Sequence, residues 1–550
     1  ELTGGLKPPS ASGGGAAGAA PVDEGRLQYL ERRSNIFPDL QFEVFEEKLP
    51  RPGYAIHESP EHVVFITAEA VPYVKVGGLA DVAGALPAAL AELGLRVTMI
   101  LPGYTPVDRA RHGFRELRDG LSAPLGSKRV PFRILEARSP APGVRVLLVD
   151  QPDYFGRDGV YVDPKTGSEY PDTADRFVFF TRAALEALRA LGDPVDVIHC
   201  HDHQTALAPA YLKLHYRKDP VLGLAASVYT LHNLGYQGTY NADVLGLAGF
   251  GPELFRPGSP FEHAGKVNFM KAGIHFACKV NTVSEGYARE IREDESISAG
   301  LGDILRGRKH DFVGILNGID TAEWNPAKDK FLPAPYDVND LAGKREAKKK
   351  LLAEAGLDAA GLEVPLAGMI TRLVDQKGLD LIQACLDRLL ETGISMVVLG
   401  TGLPKYEKLF KDAAAEYAGR VAALLKFDNA MAHLIEAGAD IFLMPSLYEP
   451  CGLNQMYSLR YGTVPLVRQT GGLAATVTDD DSTPGGGTGF SFREYEPELL
   501  VDAMERAVRA FRDRERWQRL VRSGMMRDNS WGASAVKYLD LYRGALAGRT

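Results

Sequence analysis

Three charged side chains, Glu449, Arg372 and Lys377, have the types and positions needed to bind an anion and act on it. Arg372 and Lys377 stand five residues apart, across a turn between an apolar run and a predicted helix. A guanidinium and an ammonium that converge at a helix N-terminus stabilise the negative charge that builds on a departing phosphate. Because surface cations are usually only solvated, the spacing alone leaves both interpretations open.

Glu449 lies in a loop between an apolar run, 441–444, and a predicted helix, 455–461. Open α/β sheets bind their ligands at this place, beyond the carboxyl end of a buried parallel strand. An acidic residue before proline also begins turns or caps helices, and for Glu449 alone that interpretation is equally good. The backbone positions predicted to line the same rim are Cys451, Gly452, Leu453, Thr470, Gly471 and Gly472.

Other candidate binding residues lie in loops that follow predicted strands. Glycines let backbone amides approach an anion closely, and a lysine adds a mobile cation. Amide, imidazole and phenol groups offer paired hydrogen-bond donors and acceptors. Each loop is a weak signal when taken alone. These candidates are Lys75, Gly77, Gly78, His232, Asn233, Tyr236, Gln237 and Gly400.

Two clusters suggest a metal site at first sight. In the run from His199 to His203, two or three imidazoles could bind zinc. Alternation on a strand sends His199 and His201 to one face and Asp202 to the other, and no further ligand is apparent. The acidic run 479–481 precedes Ser-Thr-Pro-Gly-Gly-Gly, which favours a solvated loop. We therefore expect no metal.

The elements that position these residues follow a repeating strand–loop–helix pattern. Apolar runs occur at 63–67, 97–101, 146–149, 195–200, 226–231 and 280–283, with helical patterns such as 79–93 and 176–191 between them. After Asn317 the same pattern begins again, with apolar runs at 366–371, 395–399, 421–425, 441–444 and 465–467. Such alternation predicts an α/β fold in which two Rossmann-like domains face each other across a deep cleft.

Composition excludes several classes of protein. The net charge of −8 comes from mixed acidic and basic residues, so we expect no nucleic-acid or membrane partner. No apolar run approaches the eighteen residues of a membrane span. Four widely spaced cysteines, Cys200, Cys278, Cys385 and Cys451, fit reduced thiols and a cytoplasmic location.

Together the motifs resemble those of the bacterial glycogen synthase and plant starch synthase family, over about residues 61 to 545. Val76, Thr173 and His203 stand where that family more often has Thr, Asn and Trp. The matching segments are K-x-G-G-L from Lys75, D-x-x-x-R-F from Asp172, H-x-H-D from His199, H-N-x-x-Y-Q-G from His232, N-G-I-D-x-x-x-W-x-P from Asn317, R-L-x-x-Q-K-G-L from Arg372, E-P-C-G-L-x-Q from Glu449 and T-G-G-L from Thr470.

The resemblance implies the GT-B architecture and a glycosyltransferase activity. Glucose would move from ADP-glucose or UDP-glucose to the 4-hydroxyl at the non-reducing end of an α-1,4-glucan, with the α anomer retained and no metal cofactor. ADP-glucose is favoured because bacterial-type members mostly use it. A homo-oligomer is possible.

The resemblance also implies roles for single residues. Glu449 would hold hydroxyls of the donor sugar, and Arg372 and Lys377 would stabilise the leaving diphosphate. His201 and Lys75 would approach the donor from the other half of the cleft. Asp172 would lie near the acceptor, with Asp175 as its rival, and helix capping accounts equally well for either aspartate.

We divide the chain where the strand–helix pattern or the composition changes. The segment 1–60 is an N-terminal extension, partly disordered because of its Gly/Ala-rich tract. The Rossmann-like domain on the acceptor side spans 61–315, and the one for the nucleotide sugar spans 316–528. A C-terminal helix, 529–550, would cross back to the first domain.

Two other classes of protein stay open at this point. One is another GT-B transferase that acts on a small sugar acceptor. The other is a non-catalytic sensor of glucan or nucleotide sugar on the same scaffold. Loss of Glu449, Arg372 or Lys377 would have indicated a sensor, and all three are present.

Overall fold

The computed structural model describes residues 59–138, 140–483 and 485–548. The predicted extension, 1–60, lies almost wholly outside these residues. Within them, one mainly parallel sheet is built from the first part of the chain and a second, parallel sheet from the later part. No helix in the described ranges has the length and hydropathy needed to cross a membrane.

The first sheet has the strand order β12-β11-β7-β6-β1-β2-β5-β4-β3. Its strands are β1 (His62–Ile66), β2 (Arg96–Pro102), β3 (Arg115–Leu125), β4 (Lys128–Glu136), β5 (Val144–Asp150), β6 (Val197–His201), β7 (Ala226–Leu231), β11 (Lys279–Thr282) and β12 (Phe312–Gly314), and the short strands β8 (Thr239–Tyr240), β9 (Glu262–His263) and β10 (Lys266–Asn268) form a separate small sheet.

The second sheet has the order β15-β14-β13-β16-β17-β18, and all its pairs are parallel. Its strands are β13 (Leu366–Ile370), β14 (Ser395–Leu399), β15 (Val421–Leu424), β16 (Ile441–Met444), β17 (Val464–Arg468) and β18 (Phe490–Phe492). Strands β13 and β16 are direct neighbours, so the loops that follow them meet at one edge of the sheet.

Helices cover the two sheets. Those of the first part are α1 (Gly78–Glu92), α2 (Pro152–Phe155), α3 (Thr173–Leu191), α4 (Asp202–Thr205), α5 (Ala208–Leu214), α6 (Asp243–Leu247), α7 (Phe269–Phe276), α8 (Glu285–Glu293), α9 (Glu295–Ser298) and α10 (Gly302–Gly307). Those of the second part are α11 (Ala342–Ala355), α12 (Leu379–Glu391), α13 (Pro404–Glu416), α14 (Asn429–Gly438), α15 (Asn454–Tyr461), α16 (Gly471–Thr476), α17 (Pro497–Arg512), α18 (Arg514–Met525) and α19 (Trp531–Ala547).

The central strands match the predicted apolar runs because they are buried on both faces. All five residues of β1, for example, are buried. The antiparallel pair β3 and β4 was not predicted, since most of its residues are exposed or half-buried and carry no continuous apolar signal. Thr470, which the sequence predicts at the rim, is the N-cap residue of helix α16, and Gly471 and Gly472 are its first two residues.

The last helix, α19, packs on the first sheet although it follows the second in the chain. Its buried residues, among them Tyr538 and Tyr542, belong to the same hydrophobic core as β1, β6 and β7. Its buried face therefore joins the end of the chain to the part that carries His201.

Candidate active site

The carboxylate of Glu449 is fixed in the loop between β16 and α15. The residue is only 6% exposed. Its Oε2 accepts a hydrogen bond of 2.7 Å from Lys377 Nζ and one of 3.0 Å from Ser446 Oγ. The ammonium compensates the buried negative charge, and Oε1 stays available to another donor.

Arg372 lies two residues beyond the end of β13, in the loop that also carries Lys377, and is exposed. It forms no ion pair with any residue in the described part of the chain. The loop that carries it is tied to the Glu449 loop, since Leu447 N donates to Gln376 O at 2.9 Å and Gln376 Nε2 donates to Tyr448 O at 3.2 Å. The structure thus pairs Lys377 with Glu449 and ties the loop that carries Arg372 to the Glu449 loop.

The rim formed by Thr470, Gly471 and Gly472 lies against Glu449. Gly472 N donates to Glu449 O at 3.1 Å. Gly471 N donates to the carboxylate of Glu290, on helix α8 of the first part, at 2.7 Å, and Thr470 Oγ1 donates to the same carboxylate at 3.1 Å. Glu290, which the sequence did not single out, therefore ties the two parts of the chain together at this rim.

The segment of Cys451, Gly452 and Leu453 leads into helix α15. Cys451 is buried, and burial raises the pKa of its thiol to about 12, so the thiol is protonated at neutral pH. Gly452 has a φ of 70°, a left-handed conformation that favours glycine. All four cysteines of the chain are free thiols.

The loop from Lys75 to Gly78 is held by a residue that sequence reasoning missed. The buried carboxylate of Glu69 accepts hydrogen bonds from Val76 N at 2.5 Å and Gly77 N at 2.8 Å. Lys75 Nζ is paired with Asp81 at 2.7 Å. The amide of Gly77, one of the two glycine amides predicted to meet a ligand, is thus bound by the protein's own carboxylate at the N-terminus of α1, where the helix dipole favours negative charge.

His201, the last residue of β6, is fully buried. Its Nδ1 lies 3.1 Å from Nε2 of His232. Its Nε2 is buried and has no hydrogen-bond partner among the described residues. Burial lowers the pKa of both rings, that of His232 to about 3, so both are neutral. An unpartnered buried nitrogen is costly unless a ligand satisfies it.

The other loop candidates differ in their exposure and in their hydrogen-bond partners. Tyr236 is 54% exposed. The side chain of Asn233 accepts a hydrogen bond from Gly235 N at 2.9 Å. Both ends of the Gln237 amide are used, by Ala299 O and by Asn268 Nδ2, so this side chain shapes the loop. A Cβ at Gly400 would lie 1.8 Å from Thr371 O, so only glycine fits there.

Asp172 is held by Arg157, whose guanidinium donates to both carboxylate oxygens at 2.6 and 2.5 Å. Burial opposes ionisation of Asp172, yet the hydrogen bonds and charge of Arg157 outweigh burial and lower its pKa. Asp172 occupies the N-cap position of α3, but its side chain makes no capping hydrogen bond there. Burial raises the pKa of Asp175.

The acidic run 479–481 does not behave as a simple solvated loop, and that interpretation is corrected. Asp480 is buried and pairs with Arg516 at 2.7 Å. Asp479 and Asp481 both pair with Arg506, at 3.2 and 3.0 Å. Over the described ranges, no cluster of three His, Cys, Asp or Glu side chains has the geometry of a metal site.

Phe427 is a further residue that the sequence did not indicate. It is 87% exposed, in the loop after β15, which pairs with β14, the strand that precedes Gly400. An aromatic ring so exposed at the carboxyl edge of a parallel sheet is an open stacking surface. An aromatic residue directly after a predicted strand and before Asp428, which caps α14, was the available signal.

Comparison with known proteins agrees with this geometry. Residues 62–307 match the family model of the starch synthase catalytic domain, and residues 359–523 match that of glycosyl transferases group 1. The glycogen synthase of Anaeromyxobacter dehalogenans (strain 2CP-C) is 47% identical over 482 residues, which cover 88% of this chain and 99% of that protein. The glycogen synthase of Desulforudis audaxviator is 44% identical over 502 residues, 89% of this chain and 97% of that protein.

A solved structure, the catalytic domain of starch synthase IV from Arabidopsis thaliana bound to ADP and acarbose, superposes with a TM-score of 0.82. It is 39% identical in sequence, and the match covers 89% of this chain and 100% of that one. Fold and site together define a glycosyltransferase with the GT-B fold. The chain belongs to the glycogen and starch synthase family.

Proposed function

We propose that this protein transfers glucose from ADP-glucose to the 4-hydroxyl at the non-reducing end of an α-1,4-glucan, with the α anomer retained. The observation that carries the proposal is the ion pair between Lys377 and the buried Glu449, with the exposed Arg372 in the same loop as Lys377. In this arrangement the carboxylate of Glu449 accepts hydrogen bonds from sugar hydroxyls. Arg372 and Lys377 supply two positive charges for the departing diphosphate. The ADP in the plant starch synthase structure supports the choice of donor.

In the proposed reaction the bond between C1 of glucose and the β-phosphate oxygen breaks, and a bond between C1 and the acceptor O4 forms on the same face. The acceptor hydroxyl gives its proton to the departing ADP. Arg372 and Lys377 stabilise the charge on ADP, because a fork donor and a point charge act together in a partly desolvated site. Glu449 holds the 3- and 4-hydroxyls of the donor.

Residues of the first part complete the site in this proposal. The free Nε2 of His201 hydrogen-bonds the donor sugar near the reacting carbon. Asp172, kept ionised by Arg157, orients the acceptor. The loops of Lys75 and of His232 lie around the sugar. The segments 61–315 and 316–528 act as the two domains, and their closure excludes water that would hydrolyse the donor.

The test is incorporation of label into precipitated glycogen from ADP-[14C]glucose and, separately, UDP-[14C]glucose, with EDTA present. We expect incorporation from ADP-glucose, and a loss on the order of 10²-fold or more in kcat for Glu449→Gln with ADP binding retained. Glu498→Gln, which changes an exposed ion pair with Arg388, is the control and keeps the rate. No incorporation from either donor contradicts the proposal, and products of fixed short length indicate a small-acceptor transferase.

A further inference from the structure

Helix α19 brings two tyrosines into the buried layer beneath the histidines of β6. Tyr538 and Tyr542 are both fully buried. Tyr542 Oη lies 2.9 Å from Nδ1 of His199, and Tyr538 Oη accepts a hydrogen bond of 3.2 Å from Asn281 Nδ2. Since an unpaired buried hydroxyl is costly, these bonds fix how the helix sits on the sheet.

With Oδ1 of Asn281 facing Thr230 and its Nδ2 facing Tyr538, the hydrogen bonds around His199 permit one arrangement of protons. Thr230 Oγ1 donates to Asn281 Oδ1 at 2.6 Å, because that oxygen has lone pairs and no proton. His199 Nε2, 2.6 Å from the same hydroxyl oxygen, must therefore donate to it. Burial holds the pKa of His199 well below its usual value, so the ring is neutral and Nδ1 carries a lone pair. The hydroxyl of Tyr542 donates to that lone pair.

His199 in turn supports His201. The two rings lie on the same face of β6, with centroids 4.2 Å apart. His201 also stacks on Phe65 at 5.3 Å, and its Nδ1 faces His232. The ring is thus held on three sides, and its buried Nε2 is left without a hydrogen-bond partner among the described residues.

We infer that Tyr542 is a positioning residue for glucosyl transfer. Its hydroxyl fixes the tautomer and orientation of His199, and His199 holds the His201 ring so that Nε2 meets the donor sugar. The inference rests on the proposed function, in which His201 contacts the donor. Tyr542 and His199 are separated by 343 positions in the chain, so no local motif reveals the contact.

The variant Tyr542→Phe removes the hydroxyl and keeps the ring. We expect kcat to fall about tenfold, the equivalent of one buried hydrogen bond, with KM for ADP-glucose and for glucan unchanged. The acid limb of the kcat profile moves to higher pH, because Nδ1 of His199 is more easily protonated without its donor. The titratable groups that face His199 are His201, His232, Tyr538 and Tyr542.

A matched control is Tyr229→Phe, since the buried Tyr229 hydroxyl has no hydrogen-bond partner among the described residues. It keeps the rate and the pH profile of the wild type. Thr230→Val removes the acceptor on the other side of His199. Because both changes act through one ring, the double variant with Tyr542→Phe is no slower than the slower single variant.

Circular dichroism and thermal melting establish that each variant is folded before rates are compared. A folded Tyr542→Phe enzyme with the wild-type kcat and an unchanged acid limb would overturn the inference, and so would an equal loss in Tyr229→Phe. A wild-type protein that makes no glucan overturns the proposed function instead. The two failures are therefore distinguishable.

Discussion

At the scale of single residues, Lys377 and Glu449 form an ion pair between the loops that follow β13 and β16. The side chains are 19% and 8% exposed, so each charge depends on the other for compensation. Removal of one partner of a buried pair costs about 3–5 kcal/mol, because the remaining charge stays buried without a partner. The same lysine is proposed to stabilise the leaving diphosphate, so its loss affects both stability and rate.

The variant Lys377→Met tests whether both stability and rate depend on Lys377. We expect kcat to fall on the order of 10²- to 10³-fold and the melting temperature to drop, since Glu449 loses its counter-ion and ADP loses one of two cations. Initial rates with ADP-glucose and differential scanning fluorimetry measure the two effects. Lys408→Met, which breaks an exposed pair with Asp412, is the control and changes neither. A Lys377→Met enzyme with the wild-type rate would exclude Lys377 from the reaction.

The exposed ring of Phe427 is predicted to stack on the base of the donor. Stacking of a base on an aromatic side chain contributes about 1–3 kcal/mol, so Phe427→Ala raises KM for ADP-glucose by about tenfold or more and changes kcat little. Steady-state kinetics with varied ADP-glucose measure this split. Met526→Ala, at a residue that is 68% exposed, serves as control and leaves KM unchanged. An unaltered KM in Phe427→Ala rejects the stacking.

At the scale of elements, the first residue of α16 lies at a contact between the two parts of the chain. Gly471 has a φ of 48°, and its N–H bonds Glu290 of helix α8. A Cβ at this position would lie 1.8 Å from Glu449 O. The backbone of the Glu449 loop can therefore approach α16 only because residue 471 is glycine.

The variant Gly471→Ala is expected to displace the Glu449 loop and to break its link to Glu290. Activity should fall on the order of 10²-fold, since small misplacements of a positioning group cost about that much. Gly246→Ala, in helix α6, meets no atom within 4 Å and is the matched control. Rates and melting curves are compared for the pair. Equal activity of the two variants would show that the close approach is not required.

At the scale of the whole molecule, neutral histidines beside the cleft, three of them buried and His203 half-buried, make stability depend on pH. Burial lowers the pKa of His203 to about 4 and that of His232 to about 3, and it also lowers those of His199 and His201. In the unfolded chain these groups titrate near 6.5. Unfolding therefore takes up protons below that pH, and the free energy of unfolding falls as pH decreases from about 6.5 towards the folded pKa values.

Denaturant unfolding at pH 7 and pH 5 measures this effect. Each neutral histidine contributes a slope of about 1.4 kcal/mol per pH unit inside the window. His203→Gln removes one titrating group and keeps a donor for Tyr236 O, which His203 Nδ1 contacts at 3.1 Å. We expect this variant to lose less stability between the two pH values than the wild type. An identical pH dependence in both proteins contradicts a neutral His203.

The strands were predictable from the sequence because parallel strands buried on both faces read as continuous apolar runs. Runs at 395–399 and 441–444 coincide with β14 and β16. Edge elements such as β3 and β4 lack that signal. The motif spacing also placed Arg372, Lys377 and Glu449 on loops at one edge of the second sheet, since loops after neighbouring parallel strands converge.

Only the tertiary structure decided which partner each of these groups has. The amides of Val76 and Gly77 are bound by Glu69, Gly471 by Glu290, and His199 by Tyr542. Periodicity and turn chemistry are local properties of the chain, so the sequence by itself determined the elements and the loops that carry the site. A hydrogen bond between residues up to 343 positions apart depends on how whole sheets and helices pack, and that is a property of the folded molecule alone.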